Sequence, residues 1–168
     1  MRHAFVVSGI VVLAALAAAC GPTSSEPASA PASAPATPPA PQMTDAEKAA
    51  LLATLPAPYN TGDLAAGKQA FALCQSCHTI TDGGPDKTGP NLHGVFGRVA
   101  GTHGTFKYSD ALKAAGFTWD AEKLDAWLAN PKTFLPGNRM TFVGLKDETK
   151  RRDLIAYLKV ETGYKPGE

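Results

Sequence analysis

Two cysteines separated by two residues and followed at once by a histidine, in CQSCHTI at residues 74–80, constrain this chain more than any other feature. Three chemistries use cysteines at this spacing. A structural zinc ion takes about four ligands. Cys74, Cys77 and His78 supply three at most, no second paired cluster follows, and the adjacent Cys77 and His78 cannot easily face one tetrahedral ion. A redox dithiol stands at a helix N-terminus after a strand in an α/β unit, and no β–α–β pattern surrounds this stretch. Covalent haem attachment gives every residue of the motif a role. Two thiols three positions apart on one helical turn meet the two vinyl groups of a porphyrin, and the adjoining His78 reaches the iron.

Haem iron held by one histidine leaves a sixth position, whose occupant separates enzyme, gas binder and electron carrier. Of the three methionines, Met1 is lost with an export signal and Met43 sits in a tether, so Met140 is expected to reach the iron. It lies in NPKTFLPGNRM, where two prolines and a glycine predict an irregular loop suited to presenting a thioether. His93, behind the TGPNL turn, and His103, in a glycine-rich loop, are expected at the surface. With both axial positions filled, the iron has no open site for oxygen or peroxide. The alternative, a haem-based peroxidase or gas-sensing cytochrome, requires Met140 off the iron.

The chain before the motif reads as an address and a leash. Residues 1–19 carry Arg2 and then an apolar run from Ala4 to Ala19 broken only by Ser8 and Gly9. That is signal-peptide grammar, and shorter than the ~20 apolar residues that span a bilayer. The small residues leading into Cys20 resemble a bacterial lipobox, although Ala17 stands where leucine is usual. Cys20 is expected to be the lipid-attachment residue, because a free exposed thiol in an oxidising compartment is a liability. Residues 20–42, rich in Pro, Ala, Ser and Thr, cannot pack a core. Their prolines favour an extended tether of at most ~70 Å, at ~3.1 Å per residue.

Residues 43–58 form a short helical lead-in, with a capping-box pattern at Thr44 and Glu47 and a stop at Pro56. A compact domain follows over 59–168. Helical patterning covers 63–73, 108–115, 121–128 and 147–160, and no alternating run predicts strands. The formal net charge of +1, from 16 basic and 15 acidic side chains, leaves no polybasic face, so no nucleic-acid partner is expected.

Over residues 62–161 the chain resembles class I cytochrome c, of the mitochondrial type and its bacterial membrane-anchored relatives. The resemblance runs through GDLAAGKQAF, CQSCHTI, KTGPNLHGVFGR, FKYSDALKAAGFTW, LANPKTFLPGNRMTFVGL and RRDLIAYLK, in the family's order. It implies a mostly α fold with helices wrapped around one covalently bound haem c, and an electron carrier, not an enzyme. It implies that Cys74 and Cys77 are the thioether attachments and that His78 and Met140 are the metal ligands. Pro90 matches the residue whose carbonyl accepts the proton of the proximal imidazole. Arg98, Tyr108 and Trp119 match groups around the haem propionates, and Phe142 matches the aromatic beside the exposed haem edge. Gly67 and Phe71 match the positions where the first helix crosses Leu154 and Tyr157 of the last.

Three departures stand out. Trp127 replaces a tyrosine near the methionine sulfur, Leu112 replaces an asparagine of the crevice, and Asn138 replaces a threonine near Met140. Lys87, Lys132, Arg139 and Lys146 match parts of the family's lysine ring, while Leu73, Thr133 and Asp147 interrupt it. From residue 60 onward 14 basic side chains face 12 acidic ones, so steering by charge is expected to be weak. The expected setting is the periplasmic side of a bacterial membrane, where a lipid-anchored monomer relays single electrons; the alternative is a soluble periplasmic protein. Its partners there would be a quinol-oxidising cytochrome complex and a terminal oxidase, in a respiratory or photosynthetic membrane.

Overall fold

The computed structural model describes residues 42–165. The expected signal, Cys20 and nearly all of the expected tether lie outside the described residues. Within them are six α-helices: α1 (Asp45–Ala53), α2 (Leu64–Phe71), α3 (Asp110–Ala114), α4 (Ala121–Ala129), α5 (Pro131–Phe134) and α6 (Glu148–Glu161). One turn of 3-10 helix covers Tyr59–Thr61. Among the described residues there is no strand, only an isolated antiparallel bridge between Val99 and Thr118, and no helix long and apolar enough to cross a membrane.

Helix starts follow the local chemistry. Asp63 accepts from the Ala65 and Ala66 N–H groups, Ser109 from Leu112, Asp120 from Lys123, and Asp147 from Lys150. Each side chain satisfies donors that the first helical turn leaves without partners. The four helical stretches read from the sequence correspond to α2, α3, α4 and α6. The expected irregular loop before Met140 needs a correction, because its first part is the α5 turn. Asn130 caps that turn and Pro131 opens it, where the missing N–H costs nothing.

The largest helix contact is between α2 and α6. A Cβ at Gly67 would collide with the Asp153 carbonyl oxygen and lie 2.6 Å from the Tyr157 Cβ, so only glycine allows the two backbones this approach. Beside the crossing, the rings of Phe71 and Tyr157 lie 5.9 Å apart, and the Asp153 carboxylate accepts from the Asp63 N–H at 3.1 Å. Leu154, Ile155, Ala156 and Leu158 of α6 are buried in the core together with Leu124, Trp127 and Leu128 of α4. Arg151 fastens α6 to α4 through Asp125, at 2.8 Å and 3.3 Å.

The lead-in is part of this body. The Thr44–Glu47 capping box is formed, Lys48 pairs with Glu161 at 2.5 Å, Leu52 packs against the core, and Leu55 is buried in it. The packed domain therefore begins ahead of residue 59, at the start of α1. The signal for this was the leucine spacing, which reads equally well as a helix in a disordered arm until its partner surface is known.

Two expected outcomes follow from the core. Replacing Gly67 by valine overpacks the α2–α6 crossing and should lower stability by about 3 kcal/mol, read from denaturant unfolding of the holoprotein. Lys159 is only 4 % exposed, and its ammonium lies 4.5 Å from the Phe96 ring centre and 3.5 Å from that of Tyr164. Burial pulls its pKa down to about 8, opposed by Asp120. The folded pKa lies below the ordinary value of ~10.5, so between those limits the unfolded chain holds the extra proton and stability rises with pH. The unfolding midpoint of the wild type should accordingly climb relative to Lys159→Met from about pH 8 to pH 10; parallel midpoints would refute this.

Candidate functional site

Helix α2 does not stop cleanly at Phe71 but runs into a further turn. The Cys77 and His78 N–H groups both donate to the Cys74 carbonyl, at 3.0 Å and 2.9 Å. That turn sets the two thiols on one side and His78 next to them. The chain then returns through residues 87–92 and bonds back onto the motif. The Gly89 N–H donates to the Cys77 carbonyl at 2.9 Å and the Leu92 N–H to Thr79 at 2.8 Å, while the Lys87 ammonium donates to the Gln75 carbonyl at 2.6 Å.

The turn fixes the imidazole. His78 Nδ1 lies 2.7 Å from the Pro90 carbonyl oxygen, so Nδ1 carries the proton and Nε2 is left as the lone-pair nitrogen. A Cβ on Gly89 would run into the ring and lie 2.7 Å from Nδ1. Burial lowers the His78 pKa, and Lys87 pushes the same way against the Pro90 bond. The ring is held neutral, which is the state that binds a metal. For Cys74, burial and then the neighbouring Cys77 push the thiol up to about 11. A working redox dithiol needs a thiol shifted down, so the local chemistry disfavours that use.

Cys74, Cys77, His78, Pro90, Arg98, Tyr108, Trp119, Met140 and Phe142 all line one cavity of about 950 Å³. The volume is at the upper end of the roughly 300–1,000 Å³ usual for cofactor sites. Its walls are mainly apolar, with Leu124 and Leu128 from α4 and Leu154 and Leu158 from α6. Leu112 and Trp127 also face it. Trp127 belongs to an aromatic cluster, its ring 5.4 Å from Trp119 and 5.9 Å from Phe134. Met140 is half-buried, between α5 and the start of α6.

Arg98 brings a positive charge to this apolar space. Its guanidinium donates to the Asn91 carbonyl at 3.0 Å and to the His93 carbonyl, and it lies beside the Tyr108 hydroxyl. Burial lowers the Arg98 pKa while Tyr108 opposes the shift. His93 and His103 are half-buried and not fully at the surface: Nδ1 of His93 lies 3.5 Å from Asp82, and Nε2 of His103 lies 3.3 Å from Asp86.

Two residues with no role in the sequence reading prove central. Gly89 gives the imidazole its space. Asn91, 2 % exposed, donates to the Thr79 hydroxyl at 2.6 Å and the Thr81 carbonyl at 2.9 Å, and accepts from the His93 N–H at 2.7 Å. Both belong to TGPNL, whose dense turn chemistry was the available signal.

The family model for cytochrome c matches residues 64–160. The chain belongs to the cytochrome c family. It is 52 % identical to the cytochrome c of Chlamydomonas reinhardtii over 102 residues, which are 60 % of this chain and 91 % of that protein. It is 47 % identical to the cytochrome c2 of Blastochloris viridis over 109 residues, 65 % of this chain and 86 % of that one. Among solved structures, cytochrome cH from Methylobacterium extorquens matches with a TM-score of 0.55 and 47 % identity, covering 58 % of this chain and 98 % of that one.

The chain is accordingly a monohaem electron-transfer protein with one covalently bound haem c, and not an enzyme. Its cavity fits that group: two free thiols and a neutral imidazole with a lone pair on one wall, a thioether in the lining, apolar sides, and a cation for acidic substituents. The α1 lead-in lies outside the matched segment.

Proposed function

We propose that this chain carries single electrons with its iron held between His78 and Met140, its haem joined through Cys74 and Cys77, and its domain leashed to a membrane through Cys20. The observation that carries the reading is that His78, fixed by Pro90 at 2.7 Å, and Met140 line the same cavity. Haem c, when bound, supplies reversible one-electron exchange at its iron. The protein's share is to keep that exchange simple. His78 and Met140 would hold the iron and leave it no open position for oxygen or peroxide. A soft thioether favours the ferrous form, and apolar walls from α4 and α6 disfavour the extra ferric charge, so both raise the potential. Arg98, Tyr108 and Trp119 would hold the acidic substituents of the group, and Phe142 would stand beside the edge at which electrons are exchanged.

The ferric protein should show the far-red methionine–iron charge-transfer band, and the ferrous protein should leave its spectrum unchanged under carbon monoxide. Carbon monoxide binding by the native ferrous form would overturn the closed-iron reading.

The setting we propose is the periplasmic side of a bacterial membrane. Partners there are an electron-rich complex that oxidises quinol and an oxidase that consumes the electron. Near-balanced charge gives weak steering, and confinement by a tether raises the effective partner concentration without a new contact. In membranes, the full lipidated form should reduce its acceptor several-fold faster than the form cut after Gln42. Equal rates would sink the leash.

A further inference from the structure

Asn138 stands two residues before Met140 and is 4 % exposed, in a loop that has little else to hold it. Its Nδ2 donates to the Pro131 carbonyl at 2.8 Å and to the Leu135 carbonyl at 2.7 Å. Its Oδ1 accepts from the Met140 N–H at 2.9 Å. The main chain joins in: the Asn138 N–H donates to Leu135 at 3.2 Å, and its carbonyl accepts from the Lys132 ammonium at 3.1 Å. Turning the amide over would set oxygen against two carbonyls and NH2 against an N–H, so its orientation is determined by its neighbours.

Backbone hydrogen bonding shows what this arrangement does. Between Pro136 and Gly144, the backbone N–H groups that make a hydrogen bond among the described residues are those of Asn138 and Met140 alone. Both bonds run through Asn138. The carbonyls it engages are those of the first residue and the C-cap of α5, and at Pro131 it adds a second donor to the Leu135 N–H, which already closes the turn at 3.1 Å. A threonine, which the resembled family has here, owns one hydroxyl proton and could not donate to both. The carboxamide supplies two donors and one acceptor in a single plane.

We propose that Asn138 is the positioning residue for Met140: its carboxamide fastens the methionine backbone to the α5 turn and thereby holds the thioether on the iron. This rests on the reading that Met140 is an iron ligand. Electron transfer gains from it directly, since a ligand that stays in place in both oxidation states leaves little to rearrange. Removal of the carboxamide leaves the Met140 N–H without its partner and takes one of two donors from each of the Pro131 and Leu135 carbonyls, and the loop relaxes in the direction that frees the sulfur.

The test is imidazole binding to the ferric holoprotein, followed by loss of the methionine–iron charge-transfer band. Imidazole must displace the thioether, so its affinity reports how firmly that ligand is held. Asn138→Ala should bind imidazole at least tenfold more tightly, a change of about 1.4 kcal/mol, and Asn138→Thr should fall between it and the wild type. Asn130→Ala removes the cap of the same turn without touching Met140, and should bind imidazole as the wild type does. Wild-type affinity in Asn138→Ala would overturn the proposal, as would an equal gain in Asn130→Ala, which would make the effect general loosening of α5. Where Asn138→Ala does not fold, Asn138→Thr decides alone, with a threefold gain expected and none refuting. Met140→Ala separates the two levels. If it keeps the band and the wild-type imidazole affinity, the ligand reading itself fails; if it loses the band and binds imidazole more tightly while Asn138 variants match the wild type, only the clamp fails.

Discussion

At the crossing of α2 and α6 the separation of two helices is set by a side chain that is not there. Gly67 brings the α2 backbone against the Asp153 carbonyl and the Tyr157 Cβ, and Asp63 and Asp153 tie the two helices just ahead of it. What lies on either side of that contact makes it decisive. The far end of α2 turns directly into Cys74, Cys77 and His78, while Leu154 and Leu158 on the inner face of α6 form part of the cavity wall. The spacing of the helices therefore bears on how closely the Cys74–His78 turn approaches Leu154 and Leu158, which line the same cavity. A domain of this size buries modest apolar surface on its own, and the walls of its cavity are mainly apolar.

Two buried asparagines complete the frame, one on each side of the site. Asn91 joins the chain after the motif to the segment that carries Arg98, whose guanidinium donates to the Asn91 carbonyl. Asn138 joins α5 to Met140. Both replace missing secondary structure: the loops at 79–93 and 135–144 have neither helix nor strand to satisfy their backbone groups, and a carboxamide with two donors and one acceptor does so locally. Irregular backbone is thereby fixed locally, at the two places that adjoin His78 and Met140.

The rim has a different character. Lys87, Lys132, Arg139 and Lys146 each donate to a backbone carbonyl, of Gln75, Asn138, Lys107 and Ala129 respectively. Their charges are tied to loop geometry and held in defined places. Next to them Leu73 is 61 % exposed at the cavity mouth and Val143, beside Phe142 in the chain, is 83 % exposed. A surface of a few fixed cations with exposed apolar side chains suits brief encounters, in which desolvation contributes and salt matters less.

The sequence by itself determined the chemistry. CxxCH allows few uses, Met140 is the one methionine available inside the domain, and the Thr44–Glu47 capping box announces itself because a cap is a contact between near neighbours in the chain. Tertiary structure alone decided which contacts between distant residues those pieces would make. It showed that α1 belongs to the domain, because Leu52 and Leu55 have meaning only once α6 is beside them. It made a turn of helix from NPKTF, gave Gly89 its reason in the ring of His78, and turned Asn138 from a substitution into the fastening of a loop. Spacing along a chain encodes what residues can do together, whereas burial and the closing of hydrogen bonds depend on neighbours that only folding brings within reach.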